Sequence, residues 1–180
     1  MLSGLNPEPR TPNPMRTLAY LILAYLALGV QVGLVPFLRI GGAPPNFVLL
    51  AALFIALNAP RDSALLGCFG LGLMQDLLTQ QTLGLYALSY GLVAMFVMGT
   101  HQLLYRDHPL THVLVAFAAG ILVAAVFLIY SVFRLPPEQR FDLGRLVMSI
   151  LYTTVLSPFV LGFLQRVRKM FGFQSRRVRV

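Results

Sequence analysis

The sequence predicts an all-α membrane protein of six transmembrane helices, and three observations lead there. Of its 180 residues, 57% are hydrophobic and only 11% are charged, against about 25% charged in a soluble domain. That leaves too little polar surface to cover a globule in water. The mean hydropathy is +0.75. Apolar runs alternate with short breaks of Pro, Gly and charge, the pattern of a multi-pass chain.

Residues 1–15 carry Pro7, Pro9, Pro12 and Pro14 with almost no apolar content and are expected to form a flexible, Pro-rich cytoplasmic tail. A six-helix transmembrane domain is expected over 16–165 and a basic cytoplasmic tail over 166–180. The first span is Thr17–Leu38, held between Arg16 and Arg39. It is too long for a signal-peptide core and no small-residue cleavage site follows it. Gly29 and Gly33 form a Gly-x-x-x-Gly pair, which lets another helix approach closely. Gln31 is the one strongly polar side chain in this span, and Pro36 predicts a kink near its end.

Pro45 suits a first helical position and opens a second, short run to Ala59 of about 15 residues, or roughly 23 Å. The turn Asn58-Ala59-Pro60-Arg61-Asp62 leads to a third run, Ser63–Leu78, poor in side-chain volume at Gly67, Gly70 and Gly72. Asp76 lies at its far edge. A carboxylate at membrane depth is costly and marks function; at a helix end it is an ordinary interfacial charge. Both readings stand. Within a scaffold it would cap a helix start or pair with an Arg such as Arg39. The fourth span is expected over Leu83–Tyr105 and the fifth over Leu110–Phe133, with a small-residue stripe at Ala116, Gly120 and Ala124. The sixth is expected over Leu146–Leu164, where Thr154 and Ser157 precede Pro158 and can satisfy carbonyls freed at a kink.

The net charge of +8 would suggest nucleic acid in a soluble protein. Here six of the fourteen basic residues fall in the last fifteen positions, Arg166, Arg168 and Lys169 first among them, directly after a span. Anionic lipid head groups are the expected partner, and no nucleic acid. Counting Lys and Arg on alternate loops gives ten against four, which puts both termini in the cytoplasm. Cys68 is the only cysteine, so no intramolecular disulfide is available, and it is expected to pack as a small apolar residue. His108 and His112 share a helix face but have no third ligand beside them; solvated side chains at the cytoplasmic interface are expected, and no metal. No nucleophile–base set, metalloprotease motif or phosphate loop occurs. Neither a catalytic residue nor a cofactor is assigned.

Three pieces now stand in order: Pro45-Asn46-Phe47-Val48-Leu49-Leu50, then Ala59-Pro60-Arg61, then Asp76-Leu77-Leu78-Thr79 running on to Thr82-Leu83-Gly84. With the Gly-rich run between them and the basic close Gln165-Arg166-Val167-Arg168-Lys169, they resemble the MreD family of the bacterial rod-shape machinery, the elongasome. The resemblance carries over Pro45, Asn46, Asp76 and Gly84 as structural marks. It implies a non-enzymatic scaffold in the inner membrane and a fold similar to the S-component of energy-coupling-factor transporters. It further implies association with the single-pass protein MreC and, through it, with a RodA-type glycosyltransferase, a class B penicillin-binding transpeptidase and MreB, in support of peptidoglycan synthesis. The small-residue faces of the first, third and fifth spans are all candidates for a partner helix, with Gly29/Gly33 the first. The alternative is a transporter subunit whose pocket draws on Asn46, Gln75, Asp76, Tyr86 and the hydroxyls of the last span.

Overall fold

The computed structural model describes residues 14–38, 42–79, 82–100, 109–136 and 141–170. The Pro-rich tail before Pro14, Arg39, His101, His108 and the basic residues beyond Met170 lie outside them. Among the described residues there are six α-helices and no strand: α1 Pro14–Gly33, α2 Phe47–Asn58, α3 Arg61–Thr79, α4 Leu85–Gly99, α5 Pro109–Arg134 and α6 Leu143–Met170. Three helical stretches are long and apolar enough to cross a membrane: Tyr20–Phe37, which runs from α1 into the turn after it, Leu110–Arg134 in α5 and Leu143–Val167 in α6.

The shortest helix forms the core. α2 has 12 residues and buries ten of them, Val48 to Leu57. It carries no polar residue until Asn58, so no face of it prefers water, and a helix apolar all round belongs inside. It touches each of the other five helices. α3 packs on α4 and α5 on α6.

Two of the small-residue stripes are consumed by this packing. A Cβ added at Gly72 would come within 2.5 Å of Ala87 Cα and of the Tyr86 carbonyl, so α3 crosses α4 backbone to backbone. A Cβ at Gly120 would meet Ile150 at 2.9 Å, and Ala116 and Ala124 are buried beside it. The expectation that the third and fifth spans offer free faces at these stripes is therefore corrected. At Gly29 and Gly33 nothing lies within 4 Å.

Several boundaries also differ from expectation. α1 stops at Gly33 and yields to a 3-10 turn, Val35–Phe37, because Pro36 has no N–H to continue the helical ladder. α4 starts at Leu85, not Leu83, since Gly84 takes a left-handed φ of 98°. Its far end comes at Gly99, where the Thr100 hydroxyl donates to the carbonyls of Phe96 and Val97; the expected continuation through Tyr105 lies outside the described residues. α6 is longer than expected at both ends and runs through Pro158. The carbonyl that Pro158 leaves without its N–H partner is that of Thr154, and the Ser157 hydroxyl donates to it at 2.8 Å. Arg166, Arg168 and Lys169 thus belong to the last turns of α6 and do not follow it. His112 is not solvated: it is buried, and Gln165 Nε2 donates to its Nε2 at 2.8 Å.

Candidate functional site

Gln75, Asp76 and Thr153 of the buried polar side chains, with Gln31, Asn46, Tyr90 and Ser149, gather at two helix starts. The first is the extended segment Pro44-Pro45-Asn46 that delivers the chain into α2. A non-helical backbone among apolar helices must have its polar groups satisfied by protein. Two prolines halve the demand, because neither carries an N–H. The rest is met by side chains from two other helices. From α6, Ser149 Oγ donates to the Pro44 carbonyl at 2.7 Å, and Thr153 Oγ1 accepts the Asn46 N–H at 3.0 Å. From α1, Gln31 uses both ends of its amide: Nε2 donates to the Pro45 carbonyl at 3.2 Å, and Oε1 accepts the Phe47 N–H at 2.8 Å. The Asn46 carbonyl accepts from Leu50 as the helix begins. Each backbone donor and acceptor from Pro44 to Phe47 that is free of the helix is accounted for.

Asn46 is the N-cap. Its Oδ1 accepts the Leu49 N–H at 2.9 Å, the usual reason for Asn at this position. Its Nδ2 donates to the Tyr90 hydroxyl at 3.0 Å. That hydroxyl has one proton, and it goes to Gln75 Oε1. Tyr90 and Gln75 are almost wholly buried, so this chain joins α2, α4 and α3 without water. The Cys68 thiol adds a second tie between α2 and α3, donating to the Ala52 carbonyl at 3.3 Å.

The second helix start is that of α4. Gly84 turns the chain and, having no side chain, cannot cap the helix itself. The acceptor comes from α3. Asp76, with no exposed surface, places Oδ2 2.9 Å from the Gly84 N–H and 3.2 Å from that of Ala87, and Oδ1 2.9 Å from that of Tyr86. Three orphan amides of a helix N-terminus and the positive end of its dipole thus meet one carboxylate. Gly72, one turn before Asp76, lets the helices come close enough for it to reach.

Asn46, Asp76 and Gly84 therefore sit at these two helix starts, with Pro45 in the strand-like entry to the first. Gly29 and Gly33 are on the opposite side of α1 from Gln31, since two residues advance a helix by about 200°. Sequence alone does not mark Gln31 as a ligand of the backbone or single out Tyr90, and it offers Ser149 only among the hydroxyls of the last span. A lone amide in a span and a Ser and Thr one turn apart were the available signals.

Beside Asn46 is a crevice of about 70 Å³, lined by Asn46, Leu49, Tyr86, Phe127, Ser149 and Thr153 among others. Tyr86 packs tilted against Phe127 with ring centroids 4.8 Å apart, and Phe127 likewise against Phe141 at 5.3 Å. Gln75 and Asp76 do not line it. Among the described residues no cluster of three or more His, Cys, Asp or Glu side chains is placed to hold a metal.

The model of the family described as rod shape-determining protein MreD matches residues 14–167 of this chain. No curated protein and no solved structure gives a significant match.

Proposed function

We propose, from the premise that the chain belongs to the MreD family and so has a role in rod shape determination, that it acts as a non-catalytic scaffold of the cell-shape machinery. In this reading α1 is the docking helix for the single transmembrane segment of an MreC-like protein. Through that protein it joins a RodA-type glycosyltransferase, a class B penicillin-binding transpeptidase and MreB in lateral peptidoglycan synthesis.

The open Gly29/Gly33 face carries the proposal. Gly72 and Gly120 are filled by the bundle's own helices, whereas a Cβ added at either of this pair meets nothing within 4 Å. Gly70, Gly99 and Gly162 are open too, but Gly29 and Gly33 are four apart on one helix and so share a face. Helix association in lipid depends on packing, so a flat glycine face is worth most where a second helix arrives. On the other side Gln31 ties α1 to the entry of α2, giving the partner a fixed surface.

All six helices cross the membrane in this reading, with both termini cytoplasmic and the two helix starts near the outer side. α2 is too short to span alone and is carried by burial among the others. Arg166, Arg168 and Lys169 lie at the inner surface against anionic head groups, each worth about 1 kcal/mol there. The arrangement is that of an S-component-like fold without its transport role. The transporter alternative needs a ligand pocket of about 300 Å³ or more; the crevice at Asn46 has about 70 Å³, and Asp76 is spent on backbone amides.

Co-purification tests the docking face. Gly29→Leu with Gly33→Leu should remove the single-pass partner while the protein stays inserted at normal abundance. Retained partner would reject α1 as the docking helix.

A further inference from the structure

The helices differ in length in a grouped way. α3 and α4, packed on one another, have 19 and 15 residues; α5 and α6, also paired, have 26 and 28. These are roughly 28 and 23 Å against 39 and 42 Å. Exposed apolar side chains follow the same division. On α3 they run from Leu66 through Phe69 and Leu73 to Leu78, a band of roughly 18 Å. Exposed Arg61 and Asp62 close it at one end and exposed Thr79 at the other. On α5 they run from Leu110 to Phe133, a band of roughly 35 Å. On α6, past exposed Arg145, they run from Val147 to Phe163, roughly 24 Å, and the long Arg145 side chain can snorkel to extend it.

A bilayer's hydrocarbon core is about 30 Å thick. One side of the molecule matches it and the α3 side falls short by roughly 10 Å. Tilting α3 would shorten its reach further. Arg61 can snorkel, but Asp62 and Thr79 are too short to do so. α2, which might extend the band, is buried and meets no lipid. The remaining response to such a mismatch is a thinner bilayer.

We infer that the α3/α4 face binds a locally thinned annulus of lipid and prefers short acyl chains, while the α5/α6 face does not. The inference rests on the reading that α3 lies in the membrane, and its test separates the two. The chain has no Trp, so one introduced residue reports only the lipid touching it. Phe69→Trp and Leu73→Trp read the α3 face; Ile121→Trp and Ile129→Trp read α5. Each variant is reconstituted in vesicles of dioleoylphosphatidylcholine mixed with brominated dimyristoleoyl, dioleoyl or dierucoyl phosphatidylcholine, and quenching is measured. At the α3 positions the short-chain lipid should bind about two-fold or more better than the long-chain one, with no such preference on α5. The same chain-length order on both faces overturns the inference. Quenching on α5 but none on α3 means protein covers that face, which also overturns it and leaves the α1 docking proposal standing. No quenching on either face would contradict the membrane reading itself.

Discussion

The carboxylate of Asp76 accepts the backbone N–H of Tyr86 at 2.9 Å, ten positions further along the chain. One buried side chain of α3 is thereby the cap of α4, and it orients the first turn that carries Tyr86 toward the crevice. Among the described residues its partners are amides and a helix dipole, as they are for anions at helix starts generally.

Removing that acceptor leaves three amides without their partner. Asp76→Ala is expected to destabilise the protein by about 3 kcal/mol or more, since each unsatisfied buried donor costs about 1–3 kcal/mol. Asp76→Asn keeps one oxygen and should cost less. Thermal unfolding in mild detergent checks the order. Equal, small effects would mean the cap contributes little.

Gly72 and Gly70 make a matched pair two residues apart on α3. Gly72→Ala must push α4 away and should cost about 1–3 kcal/mol. Gly70→Ala meets nothing within 4 Å and should be neutral or stabilising by up to about 1 kcal/mol through helix propensity. Yield and unfolding temperature of the two variants distinguish them; equal behaviour would place the close crossing elsewhere.

Tyr90→Phe strands both Gln75 Oε1 and Asn46 Nδ2. Gln75→Leu leaves the Tyr90 hydroxyl with Asn46 as its one side-chain partner. A double-mutant cycle on the two should give a coupling of about 1 kcal/mol, because members of one buried network do not add. A coupling near zero would show that the contact does not hold α3 to α4.

Gln31→Leu removes both ties between α1 and the entry of α2. Amide exchange at Phe47 should accelerate about ten-fold or more, the equivalent of about 1.4 kcal/mol, while exchange in α5 is unchanged. Unchanged exchange at Phe47 would mean that Ser149 and Thr153 hold the segment alone.

Much of this architecture was legible in the sequence. Helix content and the apolar runs follow from composition, and small residues in the third and fifth runs point to close helix contacts, but not to the bundle's own helices as the neighbours at Gly72 and Gly120. Asp76 was conspicuous because a carboxylate at the edge of an apolar run needs a reason. Its partners were not legible: they are main-chain amides, and every sequence supplies those. Gln31 was seen but not understood for the same reason, since it binds the backbone of Pro45 and Phe47. The ends of α4 and α6 were misplaced where a single hydroxyl or a left-handed glycine decides the matter. Gly84 fixes where α4 begins, and the Ser157 hydroxyl bonds the Thr154 carbonyl that Pro158 leaves free, so α6 runs on. His112 falls at the start of the fifth apolar run, where an interfacial, solvated side chain is the ordinary expectation; contact with Gln165 of α6 accompanies its burial.

The central claim is that this chain is a scaffold for a single-pass partner. Its most direct test is an affinity pull-down of the tagged protein from native membranes in mild detergent, with protein and small-molecule fractions both analysed by mass spectrometry. A single-pass MreC-like protein and cell-wall synthases, without a stoichiometric ligand, are predicted. A vitamin-sized molecule or an ATPase pair in their place would contradict the scaffold account and make the chain a transporter subunit.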